Sequence, residues 1–233
     1  MFTDSSDIYD LVYSFKDYGK ESADIIQLIK SKQPECKTIL DVGCGTSEHH
    51  KYLSKHFTVD GIDINEKFIE LSKKKNPDGQ YRVENMVQFE LNKQYDVILC
   101  LFSSIGYLQT VEEIISALKC FNKHLKPNGL LLVEPWYNKN NWHKGKLGML
   151  PIDQEDLKIC RINRSFLSGD YSILNFYYLV GTMDTGVQHF QEEHKLRLTS
   201  KEEMFDAFNQ AGLDVTFDEK GLIGRGMYYG IKK

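Results

Sequence analysis

No run of roughly 18 consecutive apolar residues occurs in this 233-residue sequence, so no helical membrane span is expected. From Met1 to Tyr18 the chain mixes Asp, Ser, Tyr and Lys, without the apolar segment of a secretory leader, so no signal peptide is expected. Positive charge is not in excess: 29 Lys and Arg stand against 33 Asp and Glu, a net charge of −4. That balance gives no support for nucleic acid or an anionic membrane as partner. The cysteines (Cys36, Cys44, Cys100, Cys120 and Cys160) are odd in number, and none forms C-x-x-C. A disulfide framework or zinc site is therefore not expected, and a reducing, cytoplasmic setting is. No internal repeat or low-complexity linker interrupts the chain. What remains, 41% hydrophobic and 27% charged, is the composition of an ordinary globular domain, with room for an inserted lobe.

Apolar spacing predicts a helix over 5–32, stopped by Gln33-Pro34. Short apolar runs predict strands at 38–42, 59–64, 80–83, 95–102 and 129–134, with helices at 47–55, 65–75 and 110–124 between them. Lys126-Pro127-Asn128-Gly129 reads as a turn. Lys73-Lys74-Lys75 reads as a solvated helix end favoured by the helix dipole, not a binding patch. Strands alternating with helices predict a parallel sheet covered on both faces. The pattern then changes. Residues 158–166, 173–180 and 188–198 read as an antiparallel meander, followed by a helix at 200–211 and strands at 213–219 and 226–231. This divides the chain into an N-terminal helical lid (1–36), a core (37–137), an inserted β lobe (138–199) and a C-terminal helix with strands that complete the core (200–233). A ligand is expected between the lobe and the C-terminal ends of the strands.

Leu40-Asp41-Val42-Gly43-Cys44-Gly45-Thr46-Ser47 reads as strand, glycine-rich turn and helix start, where backbone can approach a ligand closely. About twenty residues on, the second strand ends at Asp63, placed to accept from ribose hydroxyls. Asn85-Met86, after the third strand, could hold an adenine. A pyrophosphate-binding turn would carry a third glycine, which is missing here. The pattern resembles the D-x-G-x-G turn of class I S-adenosylmethionine-dependent methyltransferases, with Ser47 in place of a usual glycine and Asn85 where Asp is common. Ser suits a helix N-terminus.

Over nearly its whole length the chain further resembles the N-methyltransferases of dTDP-3-amino-3,6-dideoxyhexoses, of the desosamine and mycaminose type. The likeness rests on Ile8-Tyr9-Asp10, Lys16-Asp17-Tyr18, Phe102-Ser103-Ser104-Ile105-Gly106 and Val133-Glu134-Pro135-Trp136. It continues through Arg161, Glu193-His194 and Gly224-Arg225-Gly226. It implies an α/β fold: a Rossmann-like, seven-stranded, mostly parallel sheet with an inserted antiparallel β lobe. It implies S-adenosylmethionine as cofactor, held by Tyr18, Gly43, Cys44, Gly45, Asp63, Ile64, Asn85, Met86 and Phe102. It implies a small nucleotide-sugar substrate contacted by Tyr9, Tyr13, Glu134, Trp136, Arg161 and Arg225, with neither nucleic acid nor membrane as partner, in a monomer or homodimer. One departure stands out: Tyr107 follows Ser-Ser-Ile-Gly, where the macrolide-sugar enzymes carry a His near the acceptor amine.

Methyl transfer from a sulfonium is an in-line displacement with a neutral leaving group, so the enzyme must align and dehydrate a neutral amine. Alignment supplies about 7–11 kcal/mol, and a proton acceptor adds roughly 10²–10⁴-fold. Tyr107 and His194 are the candidate catalytic residues. A Tyr with an ordinary pKa of about 10 is a poor base, so Tyr107 is expected to orient the amine. Arg161, Arg164 and Arg225 are candidate phosphate partners through their guanidinium forks. No metal is expected, since adjacent His49 and His50 would point about 100° apart on a helix. Cys44 lacks a nearby base and is not read as a nucleophile. Glu192-Glu193 reads as a solvated face. Two alternatives stay open: a methyltransferase of another small metabolite, and a non-catalytic module that binds S-adenosylmethionine or a partner. Nucleic-acid methylation is disfavoured, because neither N/D-P-P-Y/F/W nor Pro-Cys is present.

Overall fold

A computed structural model describes residues 2, 4–142 and 145–233. In chain order the elements are α1 (Tyr9–Val12), α2 (Tyr18–Lys32), β1 (Thr38–Val42), α3 (His50–Leu53), β2 (Thr58–Asp63), α4 (Glu66–Lys75), β3 (Tyr81–Val83), β4 (Tyr95–Cys100), α5 (Val111–His124) and β5 (Leu125–Val133). Then follow β6 (Leu147–Asp153), β7 (Leu157–Ser168), β8 (Tyr171–Thr182), β9 (Gly186–Arg197), α6 (Lys201–Gln210), β10 (Leu213–Asp218) and β11 (Met227–Lys232). Among the described residues the main sheet has seven strands in the order β10-β11-β5-β4-β1-β2-β3. All its pairings are parallel except those of β11, which runs antiparallel to both β5 and β10. The chain moves outward from β1 to β3, then resumes at β4 on the other side of β1. That reversal opens a crevice at the carboxyl ends of β1 and β4.

The central strands are buried on both faces, as their unbroken apolar runs require. Ile39, Val97, Leu99, Leu130 and Leu132 pack with Ile25 and Ile29 of α2. The alternate residues Leu40, Val42, Ile98, Leu131 and Val133 pack with Leu118 and Phe121 of α5 and Phe208 of α6. Each such side chain contributes about 1.5–3 kcal/mol by burial. Capping boxes start α5, with Thr110 and Glu113, and α6, with Ser200 and Glu203.

The lobe is a separate antiparallel sheet in the order β6-β7-β8-β9. Its inner face brings Ile159, Phe176 and Tyr178 against Tyr9, Val12 and Tyr13 of the N-terminal segment. Its outer face leaves Leu147, Met149, Ile162, Tyr177 and Leu179 exposed.

Several elements differ from expectation, for identifiable reasons. The helix expected over 5–32 is broken. A 3₁₀ turn (Ser6–Ile8) and α1 precede a bend, and Asp17 restarts the helix by accepting from the Lys20 amide. The helix expected at 47–55 shrinks to α3, because Gly43, Gly45 and Ser47 all take left-handed backbone, with φ of 71°, 56° and 60°. The turn expected at 126–129 lies inside β5, as an irregularity where Asn128 has a φ of 62° and the β4–β5 register shifts. β6 was not anticipated. It contains Gly148 and Pro151, and proline is tolerated there because β6 is an edge strand.

Behind the glycine turn, His50 is fully buried, with Nε2 3.0 Å from Asp41 Oδ2 and Nδ1 2.7 Å from Tyr81 Oη. A neutral ring satisfies both contacts if Nε2–H donates to the carboxylate and the tyrosine hydroxyl donates to Nδ1. His50→Ala would remove a partner from the buried Asp41 carboxylate and from the Tyr81 phenol. The expected loss is about 3 kcal/mol of unfolding free energy, read by urea denaturation. A loss below about 1 kcal/mol would show that water replaces the ring without penalty.

Candidate active site

The crevice at the switch point deepens into a cavity of about 480 Å³, walled on one side by the glycine turn and on the other by the N-terminal segment and the lobe. The amides of Gly43 and Cys44 both donate to the Ile62 carbonyl, at 2.8 and 3.0 Å, tying the turn to β2. Asp63 Oδ2 accepts from the Gly45 amide and Oδ1 from the Asn65 amide, each at 2.9 Å. Lone pairs remain on both oxygens for further donors. Burial pushes the Asp63 carboxyl above the usual carboxylate range, while the Asn65 and Gly45 amides pull it back. A Cβ at Gly43 would lie 2.8 Å from the Ser104 side chain, whereas one at Gly45 would meet nothing within 4 Å. Gly43 therefore serves close packing against the loop after β4. Gly45 combines left-handed backbone with an open face, a cradle for a ligand.

Asp41 lines the same cavity, is almost fully buried, and its Oδ1 has no hydrogen-bond partner among the described residues. An acceptor left unmade in this position suits a cationic donor such as the amino group of a bound amino acid moiety. Ser47, expected to act at a helix start, instead keeps the left-handed conformation of the glycine it replaces, and its hydroxyl bonds to Ser72 Oγ at 2.7 Å. Ile64, Asn65, Asn85 and Met86 continue the wall. The Asn85 side-chain oxygen accepts from the Val87 amide at 3.1 Å, so its own turn already uses one of its lone pairs.

After β4 the chain strains through two left-handed residues, Phe102 (φ 50°) and Ser103 (φ 62°). Buried Glu134 holds them. Its Oε2 accepts from the Phe102 amide at 2.8 Å, and Ser103 Oγ donates to the Pro135 carbonyl at 2.7 Å. The other Glu134 oxygen accepts from Arg225 Nη2 at 3.3 Å. Arg225 also lies near the rings of Trp136 and Phe102, 5.1 and 6.0 Å from their centroids, and lines the cavity. Trp136 is fixed by its indole N–H, which donates to Ser172 Oγ at 2.6 Å.

The remaining wall is aromatic. Tyr9, Tyr13, Tyr18, Phe68, Phe102 and Phe176 all line it, with the Tyr9 and Tyr13 rings tilted against each other at 4.7 Å. Burial pushes Tyr9 well above its ordinary value and Tyr13 up to about 12, against the opposing pull of Arg161 on Tyr13. Tyr107 and His194, expected separately, meet: Tyr107 Oη lies 2.7 Å from His194 Nδ1. Burial raises the Tyr107 phenol far above its ordinary value and lowers the His194 imidazole. Both therefore stay uncharged at neutral pH.

Two arginines do not join this wall. Arg161 is buried on the inner face of the lobe, 5.5 and 4.8 Å from the ring centroids of Tyr13 and Phe176, and does not line the cavity. Arg164 is exposed beside Phe166. His49 and His50 diverge, the first to Glu21 and the second to Asp41. Among the described residues no group of three or more His, Cys, Asp or Glu is arranged to hold a metal ion.

Sequence reasoning missed several participants. Lys16, with only 6% of its side chain exposed, pairs with Glu21 at 3.0 Å and sits 3.8 Å above the Phe102 ring. Glu192, read as solvated, is buried at 6% exposure and accepts from the amide and hydroxyl of Ser5, at 3.1 and 2.7 Å. The signal was present in the strand period. If His194 faces inward, so does the residue two positions before it.

A family model described as a methyltransferase domain matches residues 39–129. The dTDP-3-amino-3,6-dideoxy-alpha-D-glucopyranose N,N-dimethyltransferase of Streptomyces fradiae is 33% identical over 97% of this chain and 90% of its own length. The dTDP-3-amino-3,4,6-trideoxy-alpha-D-glucopyranose N,N-dimethyltransferase of Streptomyces venezuelae is also 33% identical, over 98% of each chain. The crystal structure of Streptomyces venezuelae DesVI superposes with a TM-score of 0.92 at 32% identity, covering 100% of both chains. The S-adenosylmethionine-bound structure of CalS10, an amino pentose methyltransferase from Micromonospora echinaspora, superposes with a TM-score of 0.87 at 28% identity, covering 100% of this chain and 98% of that one. The chain is thus a methyl-transferring enzyme, and it belongs to the family of S-adenosylmethionine-dependent methyltransferases that includes the dTDP-amino-sugar N,N-dimethyltransferases.

Proposed function

We propose that this enzyme methylates the amino group of a dTDP-linked amino-deoxy sugar. One observation carries the reading: a single cavity joins the glycine turn and Asp63 to an aromatic wall that ends in Tyr107, His194 and Arg225. The relatives' names supply the substrate class.

The residues present fit the cofactor. Asp63 would take the ribose hydroxyls, Gly45 the close approach of the chain, and Asp41 Oδ1 the amino group of the methionine moiety. Tyr18, Gly43, Cys44, Ile64, Asn85, Met86 and Phe102 would complete the cradle. When bound, S-adenosylmethionine supplies an electrophilic methyl group on a sulfonium whose leaving group is neutral. The protein's task is then to present an uncharged amine in line and dry. Tyr9, Tyr13 and Trp136 exclude water around the acceptor and offer ring faces to positive charge. Tyr107 orients the amine, and its partner His194 is the nearest neutral base. Alignment is the main effect, at about 7–11 kcal/mol.

Arg225 is the remaining candidate partner for the pyrophosphate. Its Nε is buried and unpartnered, so its donors are not exhausted by Glu134. Because Arg161 does not line the cavity, a second reading keeps the chemistry and replaces the nucleotide sugar by another small amine.

Mass spectrometry of reactions with S-adenosylmethionine and a panel of dTDP-3-amino and dTDP-4-amino sugars tests the reading. A gain of one or two methyl masses on a panel member is expected. No product, with cofactor binding intact by calorimetry, would shift the reading to another amine.

Two variants divide the site. Asp63→Asn should weaken cofactor binding about 10–100-fold, the range for losing charge-assisted hydrogen bonds. Because burial raises the Asp63 pKa, the ionised acceptor is present at neutral pH and lost on acidification sooner than for an ordinary Asp. Wild-type affinity should therefore fall as pH drops through that raised value, and the Asn variant should lack this dependence. Equal calorimetric affinities would remove Asp63 from the site. Arg225→Ala should raise KM for a dTDP-amino sugar about tenfold or more while cofactor affinity holds. An unaltered KM would show that this loop does not touch the phosphates.

A further inference from the structure

Two residues apart on β9, Glu192 and His194 point inward and are almost completely buried, at 6% and 1% exposure. His194 is packed between two tilted phenyl rings, Phe2 at 4.3 Å and Phe176 at 4.9 Å between centroids. Its Nδ1 lies 2.7 Å from Tyr107 Oη, while its buried Nε2 makes no hydrogen bond among the described residues and faces Glu192 Oε2 at 3.7 Å, an electrostatic contact beyond hydrogen-bond reach. Glu192 is itself held by the N-terminal segment, because Ser5 donates its amide to Oε1 and its hydroxyl to Oε2. The four residues form a line from the N-terminal segment, through the lobe, to the cavity wall.

The line has a direction. A neutral imidazole carries one N–H. With the hydrogen on Nδ1, the Nε2 lone pair would face the Glu192 carboxylate, and lone pair against anion is repulsive. With the hydrogen on Nε2, the ring points a donor at that carboxylate, and Nδ1 becomes an acceptor. The Tyr107 hydroxyl must then donate to Nδ1. That leaves the phenolic lone pairs to face the cavity, which Tyr107 lines. A neutral amine hydrogen-bonds to such an oxygen through N–H, so its own lone pair stays free for the incoming methyl group. Reversed, Tyr107 would donate its hydroxyl to the amine and occupy the lone pair that has to react.

We propose that Glu192, anchored by Ser5, is a positioning residue that fixes the Nε2–H tautomer of His194, so that Tyr107 presents an acceptor and not a donor to the substrate amine. This rests on the reading of the cavity as an amine-methylating site. Burial keeps the imidazole neutral, as an acceptor role requires, with Glu192 opposing that shift and the Arg161 charge reinforcing it.

Long-range ¹H–¹⁵N correlation spectra of histidine-labelled protein test it directly, with His194 assigned through His194→Gln. At neutral pH the wild type should show a neutral ring protonated on Nε2. Glu192→Gln, whose amide can offer oxygen or N–H, should give a mixture of tautomers. With an accepted amino sugar, Glu192→Gln should lower kcat about 100-fold, the smaller end of a general acid–base contribution, while KM and cofactor affinity hold. Tyr107→Phe should lower kcat similarly, and the double variant should lose little more, because the two act as one unit. Ser5→Ala, the mildest change, should fold normally and give a partial tautomer mixture. A wild-type ring protonated on Nδ1, or losses that simply multiply in the double variant, would overturn the proposal. A wild type that methylates no amino sugar would overturn the functional reading, and the spectra would still decide the tautomer.

Discussion

Everything in the site depends on how the chain leaves β1. Three residues in five, Gly43, Gly45 and Ser47, hold left-handed backbone, a conformation that costs a non-glycine residue about 1–2 kcal/mol. The turn survives because its amides have fixed acceptors: the Ile62 carbonyl takes two, and the Asp63 carboxylate takes the third. The end of β2 therefore builds the turn and also carries the residue best placed for a ribose. On the proposed function one carboxylate would perform both tasks, and it is buried at an electrostatic cost. Ser47 shows how the strain is offset, with one hydrogen bond to Ser72, whose hydroxyl in turn donates to the Gly45 carbonyl.

The loop after β4 repeats this logic across the crevice. Phe102 and Ser103 are strained, and Glu134 at the end of β5 satisfies the Phe102 amide. Since the same carboxylate pairs with Arg225 from the β10–β11 connection, three chain segments far apart in sequence are set by one buried anion. A third point of closure lies in the N-terminal segment. Asp10 of α1 bonds to Thr46 beside the glycine turn and to Lys75 at the end of α4, and Lys75 also reaches Glu48 at 2.6 Å. The aromatic roof of the cavity is thereby pinned to the cofactor end by charge and to the lobe by Ser5.

Much of this was legible in the sequence, and what was not has a common cause. The parallel core could be read because its strands are unbroken apolar runs between helices. The glycine turn and the acid facing it could be read because a left-handed turn leaves a glycine signature, and because Asp63 ends a strand at a fixed distance. Those are local patterns. The break at Tyr13–Asp17 was hidden because the segment's apolar spacing continues through it, and only packing of the tyrosines on Phe68 and Phe102 shows why the helix must bend. Arg161 looked like a phosphate partner because sequence says nothing of which face of β7 meets the N-terminal tyrosines. Glu192 was read as solvated because two adjacent acids suggest a surface. In a strand they take opposite faces, so Glu193 is exposed and Glu192 is buried.

The protein uses the same three-part chain twice, and the comparison separates structure from chemistry. Tyr81, His50 and Asp41 run hydroxyl to imidazole to carboxylate behind the glycine turn, at 2.7 and 3.0 Å. Tyr107, His194 and Glu192 run in the same order beside the acceptor end, at 2.7 and 3.7 Å. In the first, Tyr81 is closed in behind Gly61 and lies off the cavity wall, so the chain ends in packing. In the first, too, the carboxylate is the member that faces the cavity, with Asp41 Oδ1 left over for a ligand. The second is turned around: the carboxylate faces the N-terminal segment, and the tyrosine faces the cavity. On the proposed function, a cationic amino group at one end and a neutral amine at the other would call for acceptors of different charge. The two orientations would then supply a carboxylate oxygen to the first and a phenolic oxygen to the second.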